Sequence, residues 1–336
     1  MNTRVLILGG RRWDQAIITI GRGFLKIGCA VRYLPTRRPG THSEPLENVH
    51  DVIGQIVKEF EPDILFWVMC KEDCPVGLMD HLKQLRPEMA TVFHSFDDPH
   101  MVDNNPPECI PGFDFAVTCC AGSIPWYADR GVKAIRFWPP PGFDLHGKAS
   151  ANPAEKCDIS FVGTNVYPRD KYPEVIATRA EILRAVAGLG TINIYGPWGE
   201  RRFDWGGEFG VPEMKKSWRG FRKYEELPGV YAASKINLSS HVRPDGFQYL
   251  NERTINAMGA GGFMLVDKVA GMEEIFTDGV HWATWESLDE LSSKAKFYLA
   301  NPDKRKAIAA KGREKALKEF SNKCHAHAVL KLCGKD

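Results

Sequence analysis

Short apolar runs alternate with stretches of helical period along this chain; the alternation breaks once, at a run of prolines, and then starts again. In the first half, strands are predicted at 5–8, 30–34, 64–68, 91–94, 115–118 and 134–137. Between the early strands, Ala16, Ile17, Ile20, Phe24 and Ile27 share one helical face, stopped by Gly28. Val52, Ile53, Ile56, Val57 and Phe60 share another, ended by Pro62, and a third helix is predicted over 76–85. The run 64–68 is apolar throughout, as a strand covered on both faces must be. Trp138-Pro139-Pro140-Pro141-Gly142 then continues neither helix nor strand, and the stretch to Lys156 is rich in small and polar residues. Strands follow at 158–162, 192–195, 236–239 and 263–266, with a helix over 179–187. Ser287 and Glu290 form a capping-box pattern ahead of Leu288, Leu291, Ala295 and Leu299, and Asn301-Pro302-Asp303 opens a last basic helix.

Repeated strand–helix alternation specifies parallel sheets covered by helices on both faces. With 336 residues and roughly 100–200 residues per domain, the expectation is two Rossmann-like α/β domains, at 1–148 and 149–320, facing each other across a cleft. A C-terminal helix over 321–336 would return to the first domain. The net charge of +2 gives no bulk reason for a polyanion partner. No stretch approaches the roughly 20 apolar residues of a membrane span, and 5–8 is too short for a signal-peptide core. Nine irregularly spaced cysteines read as reduced thiols, which together place the protein in the cytoplasm. Cys70 and Cys74 have ligand-like spacing but no matching second pair, so no metal site is expected.

In open parallel sheets, ligands bind at the carboxyl ends of strands. The most informative such place is 250–263, Leu-Asn-Glu-Arg-Thr-Ile-Asn-Ala-Met-Gly-Ala-Gly-Gly-Phe. A polar loop enters a short helix, and a glycine cluster leads into an apolar strand. Free N–H groups at a helix start favour an anion, and Arg253 in the first turn adds a forked donor suited to phosphate. Asn251 can cap the helix, and Glu252 can accept from a sugar or ribose hydroxyl. The same spacing also fits a plain capped helix with a solvated arginine. In the first half, His94-Ser95-Phe96-Asp97-Asp98-Pro99 follows a strand. Paired carboxylates there can divide acid and base roles, while Asp-Asp-Pro is also good turn chemistry. Gly9-Gly10-Arg11-Arg12-Trp13 ends a strand ahead of a helix, without the full dinucleotide fingerprint.

The segment 250–263 resembles the donor-binding core of GT-B glycosyltransferases, in particular the CgeB-like (spore maturation protein) branch of the glycosyl-transferase-group-1 clan. Ser160-Phe161-Val162-Gly163-Thr164, Tyr195-Gly196-Pro197-Trp198, 227–237 and Gly271-Met272-Glu273-Glu274 resemble further parts of that pattern in the right order, covering about 155–320. The resemblance implies transfer of a sugar from a nucleotide-diphosphate sugar, most simply a UDP-sugar, to an acceptor hydroxyl. It implies donor contacts from Gly163, Thr164, Tyr195, Gly196, Ser239, Ser240, His241, Asn251, Glu252, Arg253 and Thr254, with 219–226 near the nucleobase. It also implies a base at Asp97 or Asp98, and acceptor contacts from Gly10, Arg11, Arg12, Trp13, His94 and Phe96. The clan's paired glutamates are replaced by Gln248 and Asn256, which leaves retention or inversion open. No Asp-x-Asp metal motif ends a strand in the second half, so transfer without a metal is expected, and no cofactor beyond the co-substrate. The alternatives are a phage-type DNA-modifying glycosyltransferase, with Arg11, Arg12, Arg37, Arg38 and 304–318 as a nucleic-acid track, and a non-catalytic nucleotide-sugar-binding protein.

Overall fold

The computed structural model describes residues 2–9, 14–37, 46–68, 74, 76–96, 98, 108–136, 150–165, 172–199 and 204–336. The chain divides into two compact units, one of Met1–Gly142 with Phe320–Asp336, the other of Phe143–Glu319.

The first unit carries β1 (Arg4–Gly9), α1 (Asp14–Lys26), β2 (Ala30–Pro35), α2 (Val49–Phe60), β3 (Ile64–Val68), α3 (Leu78–Leu85), β4 (Ala90–Ser95), β5 (Phe115–Thr118), α4 (Ile124–Ala128) and β6 (Lys133–Arg136). Its six strands are all parallel, in the order β2-β1-β3-β4-β5-β6. β3 is buried along its whole length, which explains its unbroken apolar sequence. One face of the sheet packs Leu6, Leu8, Leu65, Trp67 and Phe93 against α2 and α3. The other packs Val5, Ile7, Phe66 and Val92 against α1 and the C-terminal helix α10 (Asn322–Leu332). α10 sits on α1 through Ala326, Val329 and Leu330, and Asn322 Nδ2 donates to Thr19 O at 3.0 Å.

The second unit carries β7 (Cys157–Val162), α5 (Arg179–Ala185), β8 (Ile192–Tyr195), β9 (Trp218–Gly220), α6 (Leu227–Ala233), β10 (Ser234–Ser239), α7 (Glu252–Gly259), β11 (Met264–Asp267), β12 (Ala283–Trp285), α8 (Leu288–Ala300) and α9 (Pro302–Glu319). Its strands are also all parallel, in the order β12-β11-β10-β7-β8-β9. The chain adds β8 and β9 on one side of β7, then crosses back to add β10, β11 and β12 on the other. This reversal is the doubly wound arrangement, with its switch point between β7 and β10. The edge strands β9 and β12 were not anticipated. Each has three residues, too few for a period-two signal. Ser287 Oγ caps α8 by accepting from Glu290 N at 3.2 Å, while the Glu290 carboxylate reaches the backbone of Glu286 rather than that of the cap.

Candidate functional site

At a switch point the two flanking strands send their following loops to opposite sides, which leaves a crevice at their carboxyl ends. In the second unit those ends are Gly163-Thr164 after β7, and Ser239, the last residue of β10, with Ser240-His241 after it. α7 begins beside both. Asn251 is its N-cap, with Oδ1 accepting from Thr254 N at 3.1 Å and from Thr254 Oγ1 at 3.0 Å. Asn251 Nδ2 in turn donates to Ser240 O at 3.1 Å and Ser239 Oγ at 3.3 Å. The cap thus ties the helix start to the end of β10.

Arg253, half-buried in the first turn, crosses to β7. Its guanidinium lies 4.9 Å from the centre of the Phe161 ring, and Nη1 donates to Ser239 Oγ at 3.3 Å. A Cβ on Gly163 would stand 2.7 Å from Arg253 Nη2. The glycine is therefore what lets the guanidinium lie on the strand end, and its φ of 149° suits no other residue well. Gly163, Ser239, Asn251, Arg253 and Thr254 thus converge at one point, where cationic nitrogen and the N–H groups of a helix start meet. Such a convergence is chemically suited to an anion. Glu252, partly exposed beside it, has its carboxyl pushed up to about 8 by burial, against the opposing pull of an Asn256 hydrogen bond and of Arg253.

Arg179, at the start of α5, was read from sequence only as a helix residue. Its Nη1 donates to Thr164 O at 2.5 Å, and its guanidinium is 5.7 Å from the centre of Phe161. It holds Thr164 in place and brings a second guanidinium to the same ring. Its position, opening the first helix after β7, was the available signal.

Four donor-side expectations, Tyr195, Gly196, Ser240 and His241, are corrected. Tyr195 ends β8, but its phenol is buried and donates to Glu155 Oε2 at 2.7 Å. That engagement, after burial, raises its pKa and takes the ring away from any ligand. Gly196 is a close-packing residue: a Cβ there would meet Gly163 O at 2.1 Å. Its N donates to Gly220 O and its O accepts from Trp218 Nε1. His241 is no loop-surface histidine. Its ring is fully buried, with Nδ1 2.7 Å from Asp267 Oδ1 and Nε2 accepting from Asn251 N at 3.3 Å. Both nitrogens are engaged within the protein, so it touches no sugar. Ser240 is buried beside it.

The two amides that replace the clan's glutamates are also engaged. Gln248, at φ 54°, donates from Nε2 to Glu274 Oε2 at 2.7 Å, and Asn256 donates to Tyr224 Oη at 3.1 Å. Within 219–226, Arg219 donates to Asn193 Oδ1 and Arg222 to the buried Glu155, while Phe221 is 77% exposed.

In the first unit, Gly10, Arg11, Arg12, Trp13 and Asp97 lie outside the described residues, as do Arg38 and Cys70. Asp98 is fully buried and accepts from Thr118 Oγ1 at 2.6 Å and Tyr127 Oη at 2.8 Å. This corrects its candidacy as a base, because both hydroxyls hold the carboxylate inside the core. His94 is corrected too. It is fully buried, 3.2 Å from Val117 O through Nδ1 and 4.3 Å from the Phe96 ring, and burial lowers its pKa to about 3. Phe96 packs against the same cluster rather than offering a stacking face.

Two six-stranded parallel Rossmann-like sheets, each doubly wound, are the parts of the GT-B class of fold. Within that class, residues 178–331 match the family model described as Glycosyl transferase-like. No curated protein matches the chain in sequence. Solved structures match the fold over nearly the whole length. HepE of Anabaena, in complex with UDP and glucose, aligns at TM-score 0.66 and 13% identity, covering 100% of both chains. Sucrose-phosphate synthase from Thermosynechococcus elongatus aligns at 0.64 and 13%, covering 98% of each. The DNA modifying enzyme beta-glucosyltransferase aligns at 0.61 and 12%, covering 99% of this chain and 100% of its own. The chain is thus similar to glycosyltransferases in fold throughout and in sequence over 178–331.

Proposed function

We propose that the protein is a glycosyltransferase that takes its sugar from a UDP-sugar, grips the diphosphate at the start of α7 and transfers the sugar to an acceptor hydroxyl. The observation that carries this reading is Arg253 lying on Gly163, beside the capped start of α7, at the switch point of the second sheet. The departing diphosphate gains negative charge, and a fixed guanidinium with oriented N–H groups meets that charge without reorganising. These groups supply positive potential from the protein itself, which supports transfer without a metal. The choice of UDP follows HepE, whose structure holds UDP and glucose. The motifs at 250–263 support placement in the CgeB-like branch, and the irregularly spaced cysteines, read as reduced thiols, support a cytoplasmic location. Asp97 is the base that this reading retains once Asp98 is placed in the core, and Gly10, Arg11, Arg12 and Trp13 remain its acceptor contacts.

Calorimetric titration with UDP, ADP and GDP tests the donor. UDP is expected to bind best, and Arg253→Ala to weaken it about 10- to 100-fold, the loss of a charged hydrogen-bonding group worth roughly 1.5–3 kcal/mol. Equal affinity in both proteins would remove the donor assignment. UDP-sugar turnover should survive EDTA and drop about 100-fold or more in Asp97→Asn. Binding with neither transfer nor hydrolysis would make the protein a non-catalytic nucleotide-sugar receptor.

A further inference from the structure

Behind the proposed anion site, the loop after β10 and the last residue of β11 carry two buried side chains, His241 and Asp267. Asp267, the last residue of β11, has its side chain 2% exposed, and the His241 ring is wholly buried. Asp267 Oδ2 accepts from the backbone N–H of His241 at 2.7 Å. Its Oδ1 lies 2.7 Å from His241 Nδ1, and Nε2 of the same ring accepts from the backbone N–H of Asn251 at 3.3 Å. From Asn251 the chain of bonds continues through Ser239 Oγ to Arg253 Nη1.

We propose that Asp267 and His241 are positioning residues for the donor site, fixing the α7 cap, and through it Arg253, at the height where the diphosphate is gripped. This inference rests on the donor-site reading above and extends it to two residues outside the contact shell.

The donor and acceptor count dictates how the device works. Asn251 N–H is a donor with no alternative role, so Nε2 must be the unprotonated nitrogen. The ring proton is then on Nδ1, where the carboxylate of Asp267 accepts it. Asp267 thereby selects the tautomer that can hold the cap. Because the carboxylate is acceptor-only, it serves the His241 backbone N–H and the ring N–H together.

Asp267→Asn separates this role from packing, since it keeps the shape. The new amide has one oxygen, and the His241 backbone N–H claims it. Its NH2 group then faces Nδ1, which becomes an acceptor and sends the ring proton to Nε2. Two donors now confront each other at Asn251, and the cap is released.

The test is carried out on the full chain with UDP as the probe. In 15N-histidine spectra of the wild type, His241, assigned by its loss in His241→Asn, should be protonated at Nδ1. Asp267→Asn should carry the proton on Nε2 and bind UDP at least tenfold more weakly. His241→Asn, which can still donate to Asp267 but no longer reaches Asn251, should lose a similar factor. His241→Gln, whose longer side chain returns an acceptor towards Asn251, should recover part of it. A wild-type ring protonated at Nε2 overturns the proposal without any variant. Tight UDP binding by wild type and Asp267→Asn alike also overturns it, while leaving the donor site standing. A wild type that binds no UDP overturns the donor-site reading itself, and the positioning role with it.

Discussion

Glu252 stands one residue from Arg253 with a carboxyl that burial pushes up to about 8. Near neutral pH this shift favours the protonated form, which would not repel a diphosphate at the proposed site. Above about 8 the proton leaves and a carboxylate faces the anion, so UDP affinity should fall as pH rises through that value. In Glu252→Gln the fall should disappear, which titrations between pH 6.5 and 9.5 would measure; an unchanged profile would mean that this carboxyl is remote from the ligand. The same shift has a stability consequence. The folded value lies above the ordinary 4.5, so the native state holds the proton more tightly. The associated stabilisation is complete below about 4.5 and is lost as pH rises through 8. Gly163 makes a second prediction at this scale. Alanine there strains a backbone at φ 149° and pushes on Arg253 Nη2. We expect a stability loss of about 1–2 kcal/mol with a larger proportional loss of UDP affinity, since the displaced atom belongs to the guanidinium proposed to grip the diphosphate. Glycine at that position was readable in the sequence as a strand-end residue. Its reason, the guanidinium of a residue ninety positions later, was not.

At the scale of elements, the C-terminal helix shows how a short amphipathic segment can complete a distant unit. α10 brings His325 into the core of the first unit, where His94 of β4 is also buried. Burial holds both rings neutral, each lowered from 6.5 to about 3. As pH falls below about 6.5 the unfolded chain takes up these protons and the native state does not. The folded state should therefore lose stability on acidification, by up to about 1.4 kcal/mol per pH unit for each ring, down to about pH 3. Melting temperatures measured from pH 7 to 4.5 should fall steeply in wild type and less steeply in His325→Gln. Parallel slopes would show that this ring is not the acid-sensitive group. The long periodic helices were legible from their period, and the strand 64–68 because its apolar sequence is unbroken. β9 and β12 were not, because three-residue edge strands gain their identity from the neighbour they pair with.

For the molecule as a whole, the charge is nearly balanced at +2, and much of the basic stretch 304–318 is already engaged. Lys311 and Lys315 pair with Glu314 and Glu319, and Arg305 donates to the carbonyls of Tyr298 and Leu299. Duplex DNA should accordingly bind weakly with a shallow salt dependence, a slope of only about one or two in log K against log salt. A steep slope in fluorescence anisotropy would restore the DNA-modifying reading. By itself the amino-acid sequence determined that there would be two α/β units, and that a capped, arginine-bearing helix start would follow a strand in the second, because periodicity and caps are local properties of the chain. Only the tertiary structure decided that the second sheet reverses its order between β7 and β10, that Asp98 and His94 turn inwards, and that Asp267 meets His241 across 26 positions. Strand order and side-chain partnership depend on which distant segments pair, and no local pattern encodes that choice.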